Sequence, residues 1–268
     1  MHIYKNLHIF LIMRNITIIL TLLSFTLSGC FLQDEEKRPP ISGGMSPKMM
    51  FDEAKNEVSV ATIDSAIALF EKLEAAYPAS KYSKQAKLEI AYALYDNEQY
   101  DLAISRLNKY IKLYPDDLSS TPYAYYLRGV ISEDKSRSLL DDIMTDNAQR
   151  DVDSVRDAFN YYLVLIKRFP ETEYANEAKD RLPILRNILV RHELYVAIFY
   201  TKNKSPIAAI NRCKFIVEKY PNSPSIPEAL HLMAHNYDIL STEQLAIDAR
   251  RVLDKNYPQY KPKYSLDD

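Results

Sequence analysis

The amino-acid sequence predicts an all-α fold, a solenoid of about five antiparallel helix pairs. The first observation is that five apolar helical patterns end in an aromatic residue followed by proline. The second is that an alanine stands twelve residues before each of these prolines. The third is that only 4 of the 268 residues are glycine, which disfavours a sheet with many tight turns and excludes glycine-rich phosphate loops.

The repeat is defined by proline and alanine positions. The prolines are Pro78, Pro115, Pro170, Pro221 and Pro258, and the alanines are Ala66, Ala103, Ala158, Ala209 and Ala246. Proline cannot continue a helix, and alanine is needed where two helices approach too closely for a larger side chain. This spacing resembles the second helix of the tetratricopeptide repeat, whose period is about 34 residues.

Residues 1–29 are predicted to be a lipoprotein signal peptide that is removed. Its apolar run from Ile16 to Leu27 follows Arg14 and is shorter than the roughly 20 residues that a membrane-spanning helix needs. Residues 27–30, Leu-Ser-Gly-Cys, resemble the bacterial lipobox, in which cleavage precedes a lipid-modified cysteine. A short transmembrane anchor is the alternative, and translation could begin at Met1 or Met13.

Cys30 would then be the first mature residue and would carry S-diacylglycerol and N-acyl chains. Three acyl chains are enough to anchor an otherwise soluble protein. Phe31 follows the cysteine, where lipoproteins retained in the inner membrane often have aspartate, so the predicted location is the periplasmic face of the outer membrane. If Cys30 is acylated, Cys213 has no disulfide partner, and its place in the repeat predicts a buried core position.

The mature chain is predicted to consist of a tether, a solenoid and a short tail. Residues 30–46 contain two prolines and two glycines and form a flexible lipidated tether. Ser46-Pro47 begins the first helix, the five repeats occupy 47–258, and 259–268 are the tail. Without the signal peptide the chain has 32 basic and 36 acidic residues, a net charge of −4. This charge does not indicate a nucleic-acid-binding surface.

Two inner repeats are longer than the outer ones, since successive repeat prolines are 37, 55, 51 and 37 residues apart. Residues 133–153 are predicted to be an acidic loop with at most a short helix. Residues 173–202 are predicted to be one extended helix that Pro183 kinks or divides. Its buried stripe is predicted to be Leu185, Leu189, His192, Val196 and Phe199, flanked by Ile184, Ile188, Tyr195 and Ile198.

No catalytic or metal-binding constellation is predicted. His231 and His235 have the spacing of two metal ligands on a helix, but no third ligand cluster accompanies them. His192-Glu193 begins like a zinc-protease motif, and Val196 occupies the place of its second histidine. The aspartates at 141, 142 and 146 lack the spacing and glycine of a calcium loop. The expectation is a protein without cofactor or enzymatic activity.

Four stretches resemble one family in their order and spacing. They are YAYYLRGV at 123–130, DNAQRD at 146–151, EYANEAKDRLPILRNIL at 173–189 and the pair Asn211-Arg212. They are similar to motifs of the BamD family, the lipoproteins of the machine that folds β-barrels into the bacterial outer membrane. The sequence departs from the family at Pro183 and in the turn at 203–206.

The resemblance implies a scaffold in which two halves bind different partners. The repeats after about residue 150 would hold a periplasmic domain of the barrel subunit BamA, with other Bam lipoproteins as further partners. The repeats up to about 150 would receive the C-terminal segments of unfolded outer membrane proteins. The expected peptide-groove residues are Phe51, Tyr92, Tyr95, Tyr125 and Tyr126, and the expected partner contacts are Asn211 and Arg212.

Two other functions compete with this one. A different lipidated repeat protein, such as a pilus-secretin assembly lipoprotein, would share the lipobox and the repeats. It should lack the long inner additions and the stretches DNAQRD and KDRLPILRN. An envelope enzyme acting on peptidoglycan would need a catalytic domain, and no stretch of the chain is left over to form one.

Overall fold

The computed structural model describes residues 44–60, 63–137, 148 and 152–264. Within these ranges the chain forms ten α-helices and no strands. In chain order they are α1 Pro47–Val60, α2 Ile63–Ala76, α3 Lys81–Asp96, α4 Tyr100–Leu113, α5 Thr121–Lys135, α6 Asp153–Arg168, α7 Glu173–Lys202, α8 Pro206–Lys219, α9 Ile226–Ile239 and α10 Glu243–Asn256. The signal peptide, Cys30, most of the tether and most of the acidic addition lie outside the described residues.

The helices stack as a repeat solenoid. Each helix packs against the next along the chain, and α1 with α3, α5 with α7, and α7 with α9 also pack side by side. We call the surface that the odd-numbered helices form the odd-helix face. This arrangement, in which a repeat contacts only its neighbours, confirms the predicted all-α tetratricopeptide-repeat solenoid of five helix pairs.

The aromatic-proline pairs end the even-numbered helices as predicted. Tyr114, Phe169, Tyr220 and Tyr257 all have φ between −129° and −135° with ψ of 56° to 58°. The proline that follows each of them disfavours the helical conformation of the aromatic residue, and the helix stops there. Each of these aromatic residues still donates its backbone N–H to the carbonyl four residues earlier, which satisfies the last turn.

The repeat alanines are buried at the helix contacts. All five have no exposed surface, which confirms the inference that they stand where two helices approach closely. Cys213 is also fully buried and is a free thiol, as its repeat position predicts. At the start of α1, Ser46 Oγ accepts the backbone N–H of Met49 at 3.3 Å, so the predicted helix start is confirmed.

The extended helix α7 is undivided, and its buried stripe differs from the prediction. Pro183 lies inside the helix without ending it. Phe199 and Ile184 are 61% and 63% exposed, whereas Leu194 and Ala197 are buried. The reason is that α7 packs against α5 and α6 along its first part and against α8 and α9 along its second. Because the neighbours change, no single stripe is buried along the whole helix.

The two main clusters of the hydrophobic core meet within α7. One cluster of buried side chains extends from Phe51 to Leu189, and a second begins at Val190 and includes Leu232 and Leu253. The long helix therefore belongs to both halves of the solenoid and joins them. No helix among the described ranges has the length and apolar character to cross a membrane.

Candidate functional site

A cavity opens on the odd-helix face of the N-terminal half. Its volume is about 410 Å³. Residues from α1, α3, α5 and α7 and from the turn between α4 and α5 line it: Lys55, Gln85, Leu88, Glu89, Tyr92, Ser119, Ser120, Tyr123 and Tyr174. Four helices of successive repeats thus contribute to one concave surface, which combines aromatic rings with polar groups.

Tyrosine rings form the apolar part of the cavity. Tyr92 is 45% exposed and presents its ring to solvent. The rings of Tyr123 and Tyr174 lie 5.6 Å apart, and the Tyr126 ring lies 5.5 Å from Tyr174. These centroid distances are typical of favourable aromatic contacts, so the rings hold one another in place.

The polar groups of the cavity are arranged around Glu89. Lys55 Nζ lies 2.8 Å from Glu89 Oε2, and Gln85 lies one helical turn away on the same face. Burial, together with the neighbouring Tyr92, Glu89 and Tyr174, raises the pKa of Tyr123 to about 12. The Tyr123 hydroxyl is therefore protonated at neutral pH and can donate a hydrogen bond to a ligand carbonyl.

Of the five predicted groove residues, only Tyr92 lines the cavity. Tyr95 is half-buried and donates its hydroxyl proton to Asp134, and the Tyr126 ring packs against the Tyr174 ring without lining the cavity. The expectation that Phe51 and Tyr125 present their rings to a ligand needs correction, because they are only 7% and 5% exposed.

Phe51 and Tyr125 have packing roles instead. The Phe51 ring lies 5.6 Å from that of Phe70 in the core. The hydroxyl of Tyr125 accepts a hydrogen bond of 2.8 Å from the Arg168 guanidinium, and Arg128 stacks on its ring. Both side chains therefore fix neighbouring helices relative to one another and leave no ring surface for a peptide.

Tyr123 and Tyr174 are cavity residues that sequence reasoning missed. The sequence places three tyrosines at 123, 125 and 126, and successive residues of a helix point about 100° apart. The available signal was Ala124, which is fully buried like Ala86 of the preceding repeat. Aligning Ala124 with Ala86 would have placed Tyr123 at the position of Gln85, which also lines the cavity.

Asp117 organises the turn that forms one rim of the cavity. Its carboxylate accepts hydrogen bonds from the backbone N–H of Ser119 at 3.1 Å and from the Ser119 hydroxyl at 2.7 Å. Ser120 and Lys84 bind the other oxygen. Burial alone would raise the pKa of Asp117, but these donors outweigh it and hold the pKa well below its usual value.

We expect the Asp117 contacts to stabilise the fold in a pH-dependent manner. The folded pKa lies below the unfolded value of about 3.9, so the stabilisation is complete above about pH 4 and is lost as the pH falls towards the folded pKa. When the pH is lowered from 5 to 2.5, the free energy of unfolding of wild type, measured by urea unfolding, should fall by about 1 to 2 kcal/mol more than that of Asp117→Asn. The control is Asp116→Asn, whose side chain is 92% exposed, and which should follow wild type.

Asn211 and Arg212 lie on the exposed surface of α8, away from the cavity. Arg212 Nη1 donates a hydrogen bond of 2.9 Å to Glu193 Oε2 of α7. The Glu193 side chain is only 13% exposed, whereas that of Arg212 is 46% exposed. Glu193 therefore orients a guanidinium that remains partly accessible to solvent.

His192 and His231 have structural contacts. The His231 ring lies 5.9 Å from the ring of Tyr260, and His192 Nδ1 lies 2.9 Å from the carbonyl of Ala148. Among the residues that the structure describes, no group of three or more potential metal ligands comes together. The aspartates at 141, 142 and 146 fall outside those residues.

Comparison with known proteins assigns the family. A family model described as "YfiO: Outer membrane lipoprotein" matches residues 44–253. The outer membrane protein assembly factor BamD of Neisseria gonorrhoeae is 34% identical over 239 residues, which cover 88% of this chain and 89% of that protein. BamD of Xylella fastidiosa strain Temecula1 is 31% identical over 87% of this chain and 79% of its own length.

Among solved structures, the TPR2AB domain of yeast Sti1 is similar over 80% of this chain and 78% of its own, with 13% identity and a TM-score of 0.39. The family match begins before α1 and ends within α10, and so it favours the assembly function over the pilus-secretin and peptidoglycan alternatives. The resemblance noted in the four sequence stretches is thereby confirmed. The chain belongs to the YfiO family of outer membrane lipoproteins, together with the assembly factors named BamD.

Proposed function

We propose that this protein is a non-enzymatic scaffold of the outer membrane β-barrel assembly complex. The observation that carries the proposal is the tyrosine-lined cavity on the odd-helix face of a chain whose relatives are named outer membrane protein assembly factors. In this role the protein binds unfolded outer membrane proteins with one half and a BamA-like barrel subunit with the other. It needs no cofactor, and its net negative charge suits protein partners better than nucleic acid.

The ligand proposed for the cavity is the C-terminal segment of an unfolded outer membrane protein. An extended segment brings apolar side chains together with backbone groups that still need hydrogen-bond partners. Tyr92, Tyr123 and Tyr174 supply ring surface and hydroxyl groups at the same place. Glu89 and the serines at 119 and 120 add acceptors and donors along the rim, so both needs of an extended segment are met.

The partner proposed for the C-terminal repeats is a periplasmic domain of the barrel subunit, with Arg212 as a contact. Glu193 already orients the guanidinium, so binding a partner carboxylate would cost little additional side-chain entropy. Asn211 lies beside it and can donate or accept. Other lipoproteins of the same complex are expected on neighbouring surfaces.

The function can be tested by extracting the outer membrane with mild detergent, purifying the protein through a C-terminal affinity tag and identifying the proteins that accompany it by mass spectrometry. Wild type should recover a large β-barrel protein with periplasmic domains, and Arg212→Glu should recover several-fold less of it, because the reversed charge repels the partner carboxylate. The control is Arg106→Glu, which also removes an exposed ion pair between helices, with Glu71 at 2.6 Å. Equal recovery by Arg212→Glu would remove Arg212 from the interface, and recovery of pilus-secretin components would overturn the function.

The membrane anchor is proposed to be the acylated Cys30, on the periplasmic face of the outer membrane. Cys30→Ser removes the thiol to which the lipid is attached and should move the protein from the membrane fraction to the soluble periplasmic fraction. Cys213→Ser is the matched control and should leave the distribution unchanged. Membrane retention of Cys30→Ser in a strain depleted of the barrel subunit would contradict lipid anchoring at this residue.

A further inference from the structure

The chain continues past α10 and returns to the odd-helix face of the C-terminal half. We call residues 257–264 the strap. Tyr260 of the strap donates its hydroxyl proton to Glu228 Oε2 of α9 at 2.7 Å, and its ring lies 5.9 Å from that of His231. The ring of Tyr264 lies 6.1 Å from that of Tyr195 on α7. The strap therefore covers α7 and α9, the odd-numbered helices of the last two repeats.

Glu228 is the centre of this contact and depends on the strap for its hydrogen bonds. The residue is only 3% exposed. Oε2 accepts the Tyr260 hydroxyl and, at 3.3 Å, the backbone N–H of Lys263, while Oε1 is buried without a hydrogen-bond partner among the described residues. A buried carboxylate without donors is costly, so this position requires a ligand that brings O–H and N–H groups.

Among the described residues, the other strongly buried carboxylate is satisfied in a different way. Glu133 accepts the Tyr162 hydroxyl at 2.7 Å and pairs with the Arg181 guanidinium at 3.0 Å, all within the helices of the solenoid. No corresponding cation reaches Glu228 in the part of the chain that the structure describes. The fold thus completes the Glu133 site from its helices, whereas it leaves the Glu228 site to be completed by a non-helical segment.

The strap itself is weakly held between its anchors. Gln259, Lys261 and Lys263 are exposed, and Pro258 and Pro262 favour an extended backbone. Tyr257, Tyr260 and Tyr264 pack against the C-terminal core cluster, but the strap has no regular secondary structure, and such a segment opens at lower free energy than the helices beneath it. An extended segment from another molecule could then take its place with the same hydrogen bonds.

We propose that the odd-helix face of α7 and α9 is a second peptide-binding site, for an extended tyrosine-bearing segment of a partner protein, and that the strap occupies it as a displaceable self-ligand. The tyrosine hydroxyl of the partner binds Glu228, and its backbone N–H takes the place of Lys263. The site is separate from the N-terminal cavity and from Arg212. Release of the strap controls access to it.

The test uses the full chain and a fluorescein-labelled peptide with the sequence of residues 257–264. Tyr260→Phe combined with Lys263→Pro removes both strap donors and leaves Glu228 in place. Fluorescence anisotropy should show that this variant binds the peptide at least about tenfold more tightly than wild type does, because the competing strap is weakened. Hydrogen exchange should be faster in residues 257–264 of the variant. Lys261→Ala, an exposed change in the strap, is the control and should behave like wild type.

Adding Glu228→Gln to the strap variant should reverse the gain in peptide affinity. Circular dichroism verifies that each variant keeps its helices. The proposal is overturned if the strap variant, though folded, shows no saturable binding up to about 1 mM peptide, the effective concentration of a short tether. Equal binding by wild type and the strap variant also overturns it. A strap-exchanged dimer in sedimentation would assign the site to a second copy of this chain and overturn the partner segment.

Discussion

Replacing Tyr92 and Tyr123 together by alanine is expected to weaken binding of an outer membrane protein's last strand by about thirtyfold. Each truncation removes a ring that a bound segment would bury, at about 1 kcal/mol per ring, and about 1.4 kcal/mol corresponds to a tenfold change in Kd. The measurement is fluorescence anisotropy with a labelled peptide of that strand. Tyr92→Phe with Tyr123→Phe keeps the rings, so its smaller loss reports on the hydroxyl groups alone.

A matched control is Phe199→Ala combined with Phe215→Ala. These rings are 61% and 39% exposed and lie on α7 and α8 in the C-terminal half. Their removal takes away comparable exposed aromatic surface while leaving the cavity intact, so the peptide should bind as it does to wild type. Equal losses in the two double variants would mean nonspecific aromatic binding and would contradict a peptide site in the cavity.

Gly129→Ala is expected to destabilise the protein by about 2 kcal/mol, although alanine is the better helix former by about 1 kcal/mol. A methyl group at this position would lie 2.5 Å and 2.7 Å from Cζ and Cδ1 of the Tyr162 ring, and closer still to Cε1. The ring cannot move away easily, because Tyr162 is fully buried and its hydroxyl is bound to Glu133 at 2.7 Å. Urea unfolding followed by circular dichroism measures the loss.

A double-mutant cycle with Tyr162→Leu identifies the cause of this loss. In the leucine background the ring is absent, so Gly129→Ala should cost about 1 to 2 kcal/mol less than it does in wild type. In the Tyr162→Phe background the ring remains and the cost should be unchanged. Additive effects of Gly129→Ala and Tyr162→Leu, or a net stabilisation by Gly129→Ala alone, would contradict the close packing of α5 on α6.

The repeat pattern predicted the helices well because its determinants are local. A proline disfavours the helical conformation of the residue before it, and the ends of α2, α4, α6, α8 and α10 coincide with the five aromatic-proline dipeptides. The period also predicted the length of α7, since the second addition corresponds to whole helical turns. What the pattern could not predict is the exchange of neighbours along α7, which exposes Phe199 and buries Leu194.

The candidate site was only partly predictable because the neighbouring tyrosines look alike in sequence. Tyr123 and Tyr125 are two positions apart on α5, yet Tyr123 lines the cavity and Tyr125 is only 5% exposed and does not line it. The difference depends on the rotation of α5 about its own axis. The close approach of Gly129 to Tyr162 and the hydrogen bond from Arg168 to Tyr125 stabilise that rotation, and both are contacts between distant residues.

The sequence by itself determined the all-α class, the number of repeats, the helix ends, the burial of Cys213 and, through its motifs, the family. These properties depend on backbone restrictions and on hydrophobic periodicity, which act over a few residues. Only the tertiary structure decided which tyrosines line the cavity and where along α7 the two core clusters meet. It also decided that residues 257–264 cover Glu228. Those features depend on the rotation and packing of whole helices, where side chains far apart in the chain compete for the same space.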